Sequence, residues 1–432
     1  MIFSLCYNST VMSRKIRVAI ETLGCKLNQA ESETLARQFT LGGCEIVGAD
    51  EETDVYILNT CTVTHIADRK SRQSLRMARR RSPHALIIAT GCYINRSSNE
   101  VKILESVNLV VPNEEKPRLV EIVGQRRDLE KGTTVHENIT RTRAFIKAQD
   151  GCNRRCTYCV VPLVRGREKS LPADEVMAEI EPMVAKRFKE VVLTGTEIGS
   201  YSSSGLDIKG LLERILVKTK IERLRVSSLQ PYEITPKLLA LWKNSRLCPH
   251  FHISLQSGSD GVLARMKRVY STSSYEESIS LIRKALPEAS ITTDVIVGFP
   301  GETDAEFQQT ADFCRRMGFA RIHVFTFSPR PGTAAATMPG QVDVRVKKER
   351  SVKMLALAKE SAREFRSHFF GQTLEVLWEQ KSEGGIWSGY TANYIRLYTR
   401  SKTNLTNVLK ETKLLKLYRD GVWGKICESI GA

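Results

Sequence analysis

A repeated order constrains this chain most: a short apolar run, an amphipathic stretch, then another short apolar run. Residues 17–23 (RVAIETL) read as a strand and 28–41 as a helix that ends at Gly42 and Gly43. A second strand is expected at 54–60 and a second helix at 67–81, followed by strands at 86–90 and 108–111. Such alternation predicts a parallel α/β sheet, whose strand C-termini share one edge where ligands bind. Each of the first three strands is followed, one or two residues later, by a cysteine: Cys25, Cys61 and Cys92. A lone cysteine is more often a buried structural thiol. Three at equivalent strand ends, flanked by Gly24, Thr60 and Gly91, are expected to converge. Cys44 follows a helix, lies off this pattern and reads as structural.

A polar stretch, 125–143, reads as a linker, after which longer βα units begin. Strands are expected at 145–149, 190–194, 224–228, 251–255, 293–297 and 322–327, with helices at 173–188, 206–218, 236–243, 274–286 and 304–317. Six units without a closing pair predict a partial, open (β/α) barrel with its chemistry at the strand C-terminal mouth. Residues 342–366 form a basic helical connector. From 372 onward, short β-type runs separated by Gly, Ser and Asn predict a small OB-like β-barrel. It carries Trp378, Trp387 and Trp423, which read either as stacking platforms for nucleic acid or as core filling. As a module attached after the connector, it is expected to be removable without loss of the chemistry in the larger barrel.

The net charge of +17 favours a polyanionic partner. Part of that charge is local: Arg69, Lys70, Arg72, Arg76, Arg79, Arg80 and Arg81 follow one another in the second helix with no acid between them. Their position after Cys61 favours phosphate contact over a merely solvated face. No apolar run approaches the roughly 18 residues of a membrane span, and the first 14 residues read as a leader without signal-peptide features. A cytoplasmic protein is expected, and the clustered thiols among its eleven cysteines read as metal ligands and not as disulfides.

The chemistry is concentrated in Cys152-Asn-Arg-Arg-Cys156-Thr-Tyr-Cys159. Zinc wants four ligands, and the nearest upstream histidine is His136. Cubane iron–sulfur clusters are normally held by four thiolates, so a three-thiol loop leaves one iron open to a small molecule. Beside TLGCKLNQAESE (22–33), LNTCTVTHIADRKSRQ (58–73), ATGCY (89–93) and QDGCNRRCTYCVVPLVRG (149–166) stand LTGTEIGSY (193–201), RVSSLQP (225–231), HISLQSGSDGVLARMKRVYS (252–271), DVIVGFPGET (294–303) and FTFSPRPGTAA (325–335). On these motifs the chain resembles the radical SAM methylthiotransferases, over nearly its whole length.

The resemblance implies a leader (1–14), an N-terminal methylthiotransferase domain (15–130), a radical SAM core (138–368) and a C-terminal TRAM domain (371–432). It implies two 4Fe-4S clusters and S-adenosylmethionine. Cys152, Cys156 and Cys159 would hold the SAM cluster, and Cys25, Cys61 and Cys92 an auxiliary cluster. Gly195, Glu197, Ser228, Gln256 and Asp294, at successive strand ends, are its candidate SAM contacts, while GFPGE (298–302) is expected to shape the pocket as a turn. GCKLNQ with NTCTVT resembles the subgroup that adds a methylthio group to C2 of N6-threonylcarbamoyladenosine in tRNA. The alternatives are isopentenyladenosine in tRNA, a ribosomal protein, or an iron–sulfur RNA-binding protein without activity. The implied partners are the tRNA anticodon stem-loop, an electron donor and a sulfur source. No membrane is involved, and the expected state is a monomer.

Overall fold

The computed structural model describes residues 14–126 and 142–427, so the leader and nearly all of the linker expected at 125–143 lie outside the described residues. The chain divides into two compact units, one up to residue 138 except 63–65, the other from 139 onward together with 63–65.

The first unit is a five-stranded parallel sheet in the order β2-β1-β3-β4-β5. Its elements are β1 (Arg17–Thr22), α1 (Lys26–Leu41), β2 (Glu45–Val47), β3 (Val55–Thr60), α2 (His65–Arg81), β4 (Leu86–Gly91), α3 (Cys92–Lys102), β5 (Leu109–Val111) and α4 (Leu119–Gly124). The central strand β3 is buried on both faces, which is why VYILNT reads as a continuous run. The short edge strand β2 was not expected from sequence; three residues carry too little periodicity to announce one.

In the second unit, β6 (Arg143–Lys147), β9 (Glu190–Thr194), β12 (Arg223–Val226), β13 (Ser228–Leu229), β14 (His250–Ile253), β15 (Ser290–Val297) and β16 (Arg321–Thr326) are all parallel. They form two sheets, β12-β9-β6 and β13-β14-β15-β16. The strand expected at 224–228 breaks at Ser227: its first half pairs with β9, its second with β14. The result is the expected six-position partial barrel. Short ribbons β7 (Gln149–Asp150) with β8 (Lys169–Ser170), and β10 (Ser202–Ser203) with β11 (Leu206–Asp207), decorate it. Helices α5 (Val161–Arg165), α6 (Ala173–Ala185), α7 (Ile208–Lys218), α8 (Pro236–Leu239), α9 (Asp260–Arg265), α10 (Thr272–Ala285), α11 (Asp304–Met317) and α12 (Val344–Ser367) complete the unit. Along β14, β15 and β16 the apolar residues Phe251, Ile253, Val295, Val297 and Ile322 join the main core. The alternate positions His252, Asp294 and His323 therefore face the barrel interior.

Strands β17 (Thr373–Lys381), β18 (Ile386–Thr391), β19 (Arg396–Arg400), β20 (Val408–Tyr418) and β21 (Gly421–Ile426) close a small barrel in the order β17-β18-β19-β21-β20. Trp378 and Trp387 are buried in its core, so of the two readings they take core filling; Trp423 stays half-buried. The barrel is not a loose appendage either. Arg143, Glu190 and Arg223 begin their strands in register. Arg223 donates to Tyr390 O and Glu375 O, Arg225 to Ala392 O, and Arg143 pairs with Glu379 at 2.6 Å. Arg225 and Glu190 form a two-bond ion pair with both side chains 1% exposed. Tyr394 lies under this set, stacked on His250 at 4.7 Å and 4.5 Å from the Arg225 guanidinium. The small barrel thus closes the strand N-terminal floor of the larger one. Among the described residues no helix is long and apolar enough to cross a membrane.

Candidate iron–sulfur and S-adenosylmethionine sites

In the first unit the three expected thiols do come together. Cys25 caps α1, Cys61 follows β3, and Cys92 opens α3. The buried side chain of Asn28 stands among them, its Oδ1 3.9 Å from Cys25 Sγ and 4.0 Å from Cys92 Sγ. Its Nδ2 donates to Leu23 O at 2.8 Å and Thr60 O at 2.9 Å, which fixes the amide orientation and turns the oxygen to the sulfurs. Gly24, at φ +108°, leaves no room for a side chain: a Cβ there would meet Cys61 Sγ at 2.9 Å. Thr60 Oγ1 donates to Thr90 O and accepts from Tyr93 N, which ties in the third loop. Nothing in the sequence singled out Asn28 or Thr60 as the clamp. Asn28→Ala removes two buried hydrogen bonds, so a loss of roughly 2–4 kcal/mol is expected by denaturant unfolding; a loss below about 1 kcal/mol would end that role.

The second set lies on the loop between β7 and α5, at the C-terminal edge of the partial barrel. Cys152 Sγ is 3.1 Å from Glu197 Oε2, and Arg268 Nη1 donates to Cys156 Sγ at 3.3 Å. Burial pushes the Cys152 thiol up to about 12 and Cys159 to about 11, so ligation of a metal must displace protons from both. Burial alone would raise Glu197 as well. Hydrogen bonds from Tyr232 (2.6 Å) and Cys152, with the Arg154 charge, bring its carboxyl below the usual range. Gln149 Oε1 holds the Glu197 backbone N–H at 2.9 Å, and Gly195 packs too closely on Gln149 to carry a side chain. Arg268, Tyr232 and Gln149 are contributions the sequence did not reveal, because their partners lie far along the chain.

Cys159 and Tyr158 share a pocket with Gln256, Asp294, Ile296 and Phe325. Gln256, at φ +68°, bridges to β15: its N–H donates to Asp294 O and its carbonyl accepts from Ile296 N. Of the five expected SAM contacts, Glu197 therefore meets the thiol loop, and Gln256 and Asp294 meet the pocket. Gly195 and Ser228 sit at neighbouring strand ends and line neither. In the GFPGE turn, Glu302 accepts from Gly298 N and pairs with Arg350 at 2.7 Å, a shaping role. Cys44 and Cys314 are buried in apolar cores and Cys248 is buried beside the Arg225–Glu190 charges; desolvation pushes the Cys44, Cys248 and Cys314 thiols to about 11, 12 and 12. They are structural.

Both three-thiol sets fit a cubane: the thiols are grouped, Cys61 and Cys92 are buried while Cys25 and the loop thiols keep some exposure, and Gly24 keeps space beside Cys61. The chain matches the Radical SAM superfamily over residues 146–314 and the Uncharacterized protein family UPF0004 over 17–112. It is 35% identical to the threonylcarbamoyladenosine tRNA methylthiotransferase MtaB of Bacillus subtilis (strain 168), over 95% of this chain and 97% of that protein. The chain belongs to the radical SAM methylthiotransferase family. Within the family it is also 40% identical to the Thermotoga maritima protein of the same name, over 88% of this chain and 90% of that one. The tRNA-2-methylthio-N(6)-dimethylallyladenosine synthase of Moorella thermoacetica is 34% identical, over 92% and 95%. Among solved structures, the radical S-adenosylmethionine methyltransferase TsrM from Kitasatospora setae shares the fold at TM-score 0.56 and 15% identity, over 74% of this chain and 75% of that chain.

Proposed function

We propose that this chain adds a methylthio group to C2 of N6-threonylcarbamoyladenosine beside the anticodon of tRNA. The observation that carries the reading is the meeting of Cys25, Cys61 and Cys92 around Asn28, in a chain that bears a second three-thiol loop. The names and coverage of the relatives support the substrate. Cys152, Cys156 and Cys159 would hold the 4Fe-4S cluster that takes S-adenosylmethionine, and the first-unit thiols the auxiliary one. When bound, these cofactors supply radical chemistry, which no side-chain base can replace at an unactivated C2–H.

The residues do the positioning. Glu197, kept ionised, offers an acceptor to the ammonium group of S-adenosylmethionine beside Cys152. Gln256 and Asp294 offer polar contacts within the pocket, and Gly195 and Ser228 complete the proposed set at adjoining strand ends. Arg268 donates to Cys156 Sγ and so helps to hold that thiol in the loop. An electron donor and a sulfur source complete the proposed partners, and work on tRNA agrees with a cytoplasmic protein. Mass spectrometry of tRNA nucleosides from a deletion strain tests the reading. Loss of the methylthio group from threonylcarbamoyladenosine alone is expected; loss from the dimethylallyl base instead would assign the other substrate.

For RNA, α2 divides its charge. Arg72 donates to Tyr93 Oη at 2.6 Å, Arg79 to Pro83 O and Ala85 O, and Arg81 to Ala49 O. Arg69, Lys70, Arg76 and Arg80 are exposed. Replacing Arg76 and Arg80 by Glu should weaken tRNA binding and flatten its log–log salt dependence by roughly 1.5, at about 0.7–0.9 per phosphate contact. An unchanged slope would return the helix to a solvated face.

A further inference from the structure

Several arginines of the second unit meet a carboxylate: Arg154 pairs with Glu197, Arg225 with Glu190, Arg265 with Glu306 and Arg350 with Glu302. Among the described residues, no carboxylate pairs with Arg268. Its guanidinium is half-buried, and every nitrogen is engaged by an uncharged oxygen or by sulfur. Nε donates to Tyr270 Oη at 3.0 Å, Nη1 to Cys156 Sγ at 3.3 Å and Nη2 to Gln230 Oε1. The guanidinium also lies 4.7 Å over the Tyr270 ring. Tyr270 is buried, and its hydroxyl stands 2.6 Å from Ser254 O and 2.9 Å from Leu255 O, just past β14. The thiol loop docks on the same segment: Thr157 N donates to Met266 O at 3.1 Å and Thr157 Oγ1 to Arg265 O at 2.9 Å. Cation and sulfur are thus held together from both sides.

We propose that Arg268 is the counter-cation of the loop cluster, a positioning residue that raises the reduction potential of that cluster through Cys156. The inference rests on the reading of Cys152, Cys156 and Cys159 as ligands of the S-adenosylmethionine cluster, and deepens it. A cation drawn out of water costs free energy unless an anion answers it. A cubane on three thiolates is net negative, and one electron from the external donor adds a further unit of negative charge. The potentials of such clusters follow net charge, hydrogen bonds to sulfur and solvent exposure. Both the N–H···S bond and the fixed positive charge favour the more negative, reduced state. Glu197 beside Cys152 is negative, but Arg154 answers it at 3.2 Å, so the charge of Arg268 is the one left over. The external donor therefore meets a site that is easier to reduce than a neutral lining would make it.

The test is a redox titration followed by electron paramagnetic resonance, on reconstituted full-length protein carrying Cys61→Ala, so that the loop site alone holds a cluster. Poised mediators supply the electron, and S-adenosylmethionine is left out. Arg268→Gln keeps an N–H donor and removes the charge. At a fixed potential its reduced-to-oxidised ratio should fall by about 10-fold or more, a midpoint lower by about 59 mV per tenfold for one electron. Arg268→Lys keeps the charge and should stay within about 3-fold of the parent. Arg265→Gln loses a cation already paired with Glu306 and should also stay within about 3-fold, which controls for net charge. Iron, at about four per chain, is the loading control. Loss of iron in Arg268→Gln but not in Arg268→Lys shows that loading itself needs the charge, and supports the inference. Loss of iron in both makes Arg268 a brace for the loop and overturns it. An unchanged midpoint in fully loaded Arg268→Gln overturns the inference alone. So does an unchanged midpoint with weakened binding of S-adenosylmethionine, which would hand the cation to the carboxylate of that cofactor. Absence of any cubane signal in the Cys61→Ala parent overturns the loop-cluster reading itself.

Discussion

Deleting residues 371–432 should unfold or grossly destabilise the whole second unit. The truncation strips Arg143 of Glu379, Arg223 of its Glu375 and Tyr390 acceptors, and Arg225 of Ala392 O and the Tyr394 ring. Arg143 and Arg223 would then lose these partners together, and Arg225 would keep only Glu190. Breaking one buried pair by removing a partner typically costs about 3–5 kcal/mol, comparable to a large part of a domain's net stability. Arg225→Ala, which leaves Glu190 buried and ionised without its two-bond partner, should by itself cost about 3–5 kcal/mol by denaturant unfolding. A truncated protein that keeps the melting transition of the second unit would sink this account. It would also restore the expectation of a removable module.

The second large effect concerns iron. Anaerobically reconstituted protein should carry about eight irons, two cubanes of four. Any one of Cys25, Cys61, Cys92, Cys152, Cys156 or Cys159 replaced by Ala should leave about four. The two families of variants should differ in what survives. Without the auxiliary set, reductive cleavage of S-adenosylmethionine should persist while methylthiolation stops; without the loop set, both should stop. Cys44→Ala and Cys314→Ala should keep the full iron content, since each thiol is packed among apolar side chains. Four irons in wild type, or full iron in a loop variant, would refute the assignment.

What could be read in the sequence was whatever repeats or sits at an element's end. The thiols were legible because period-2 and period-3.6 patterns place strand ends to within a residue or two, and parallel strands end on one edge. The clamp around them was not: Asn28 lies in the first turn of α1 and looks like any polar helix residue until Thr60 arrives from 32 positions away. Arg225 was hidden for a related reason, since the Glu190 beside it belongs to another strand. The polar barrel interior left a signal that went unread. Alternation in HFHI, TTDVIV and IHVF puts His252, Asp294 and His323 on the face opposite the core. Such alternation shows which face is polar, and only the strand register shows that the three side chains meet.

The Asn28 and Thr60 hydrogen bonds bear on the life history of the first site. In a small zinc domain the metal is the folding free energy, and an emptied site is an unfolded one. Here the three loops are tied to one another through side-chain amide, hydroxyl and backbone groups that involve no sulfur–metal bond. The ordering entropy of the ligands is met by the sheet and its polar lattice. Such a receptacle keeps its shape when its contents are consumed, so refilling it is a binding event and not a refolding one. Amide exchange in metal-free protein should therefore find Thr60 and Tyr93 as protected as in the loaded form.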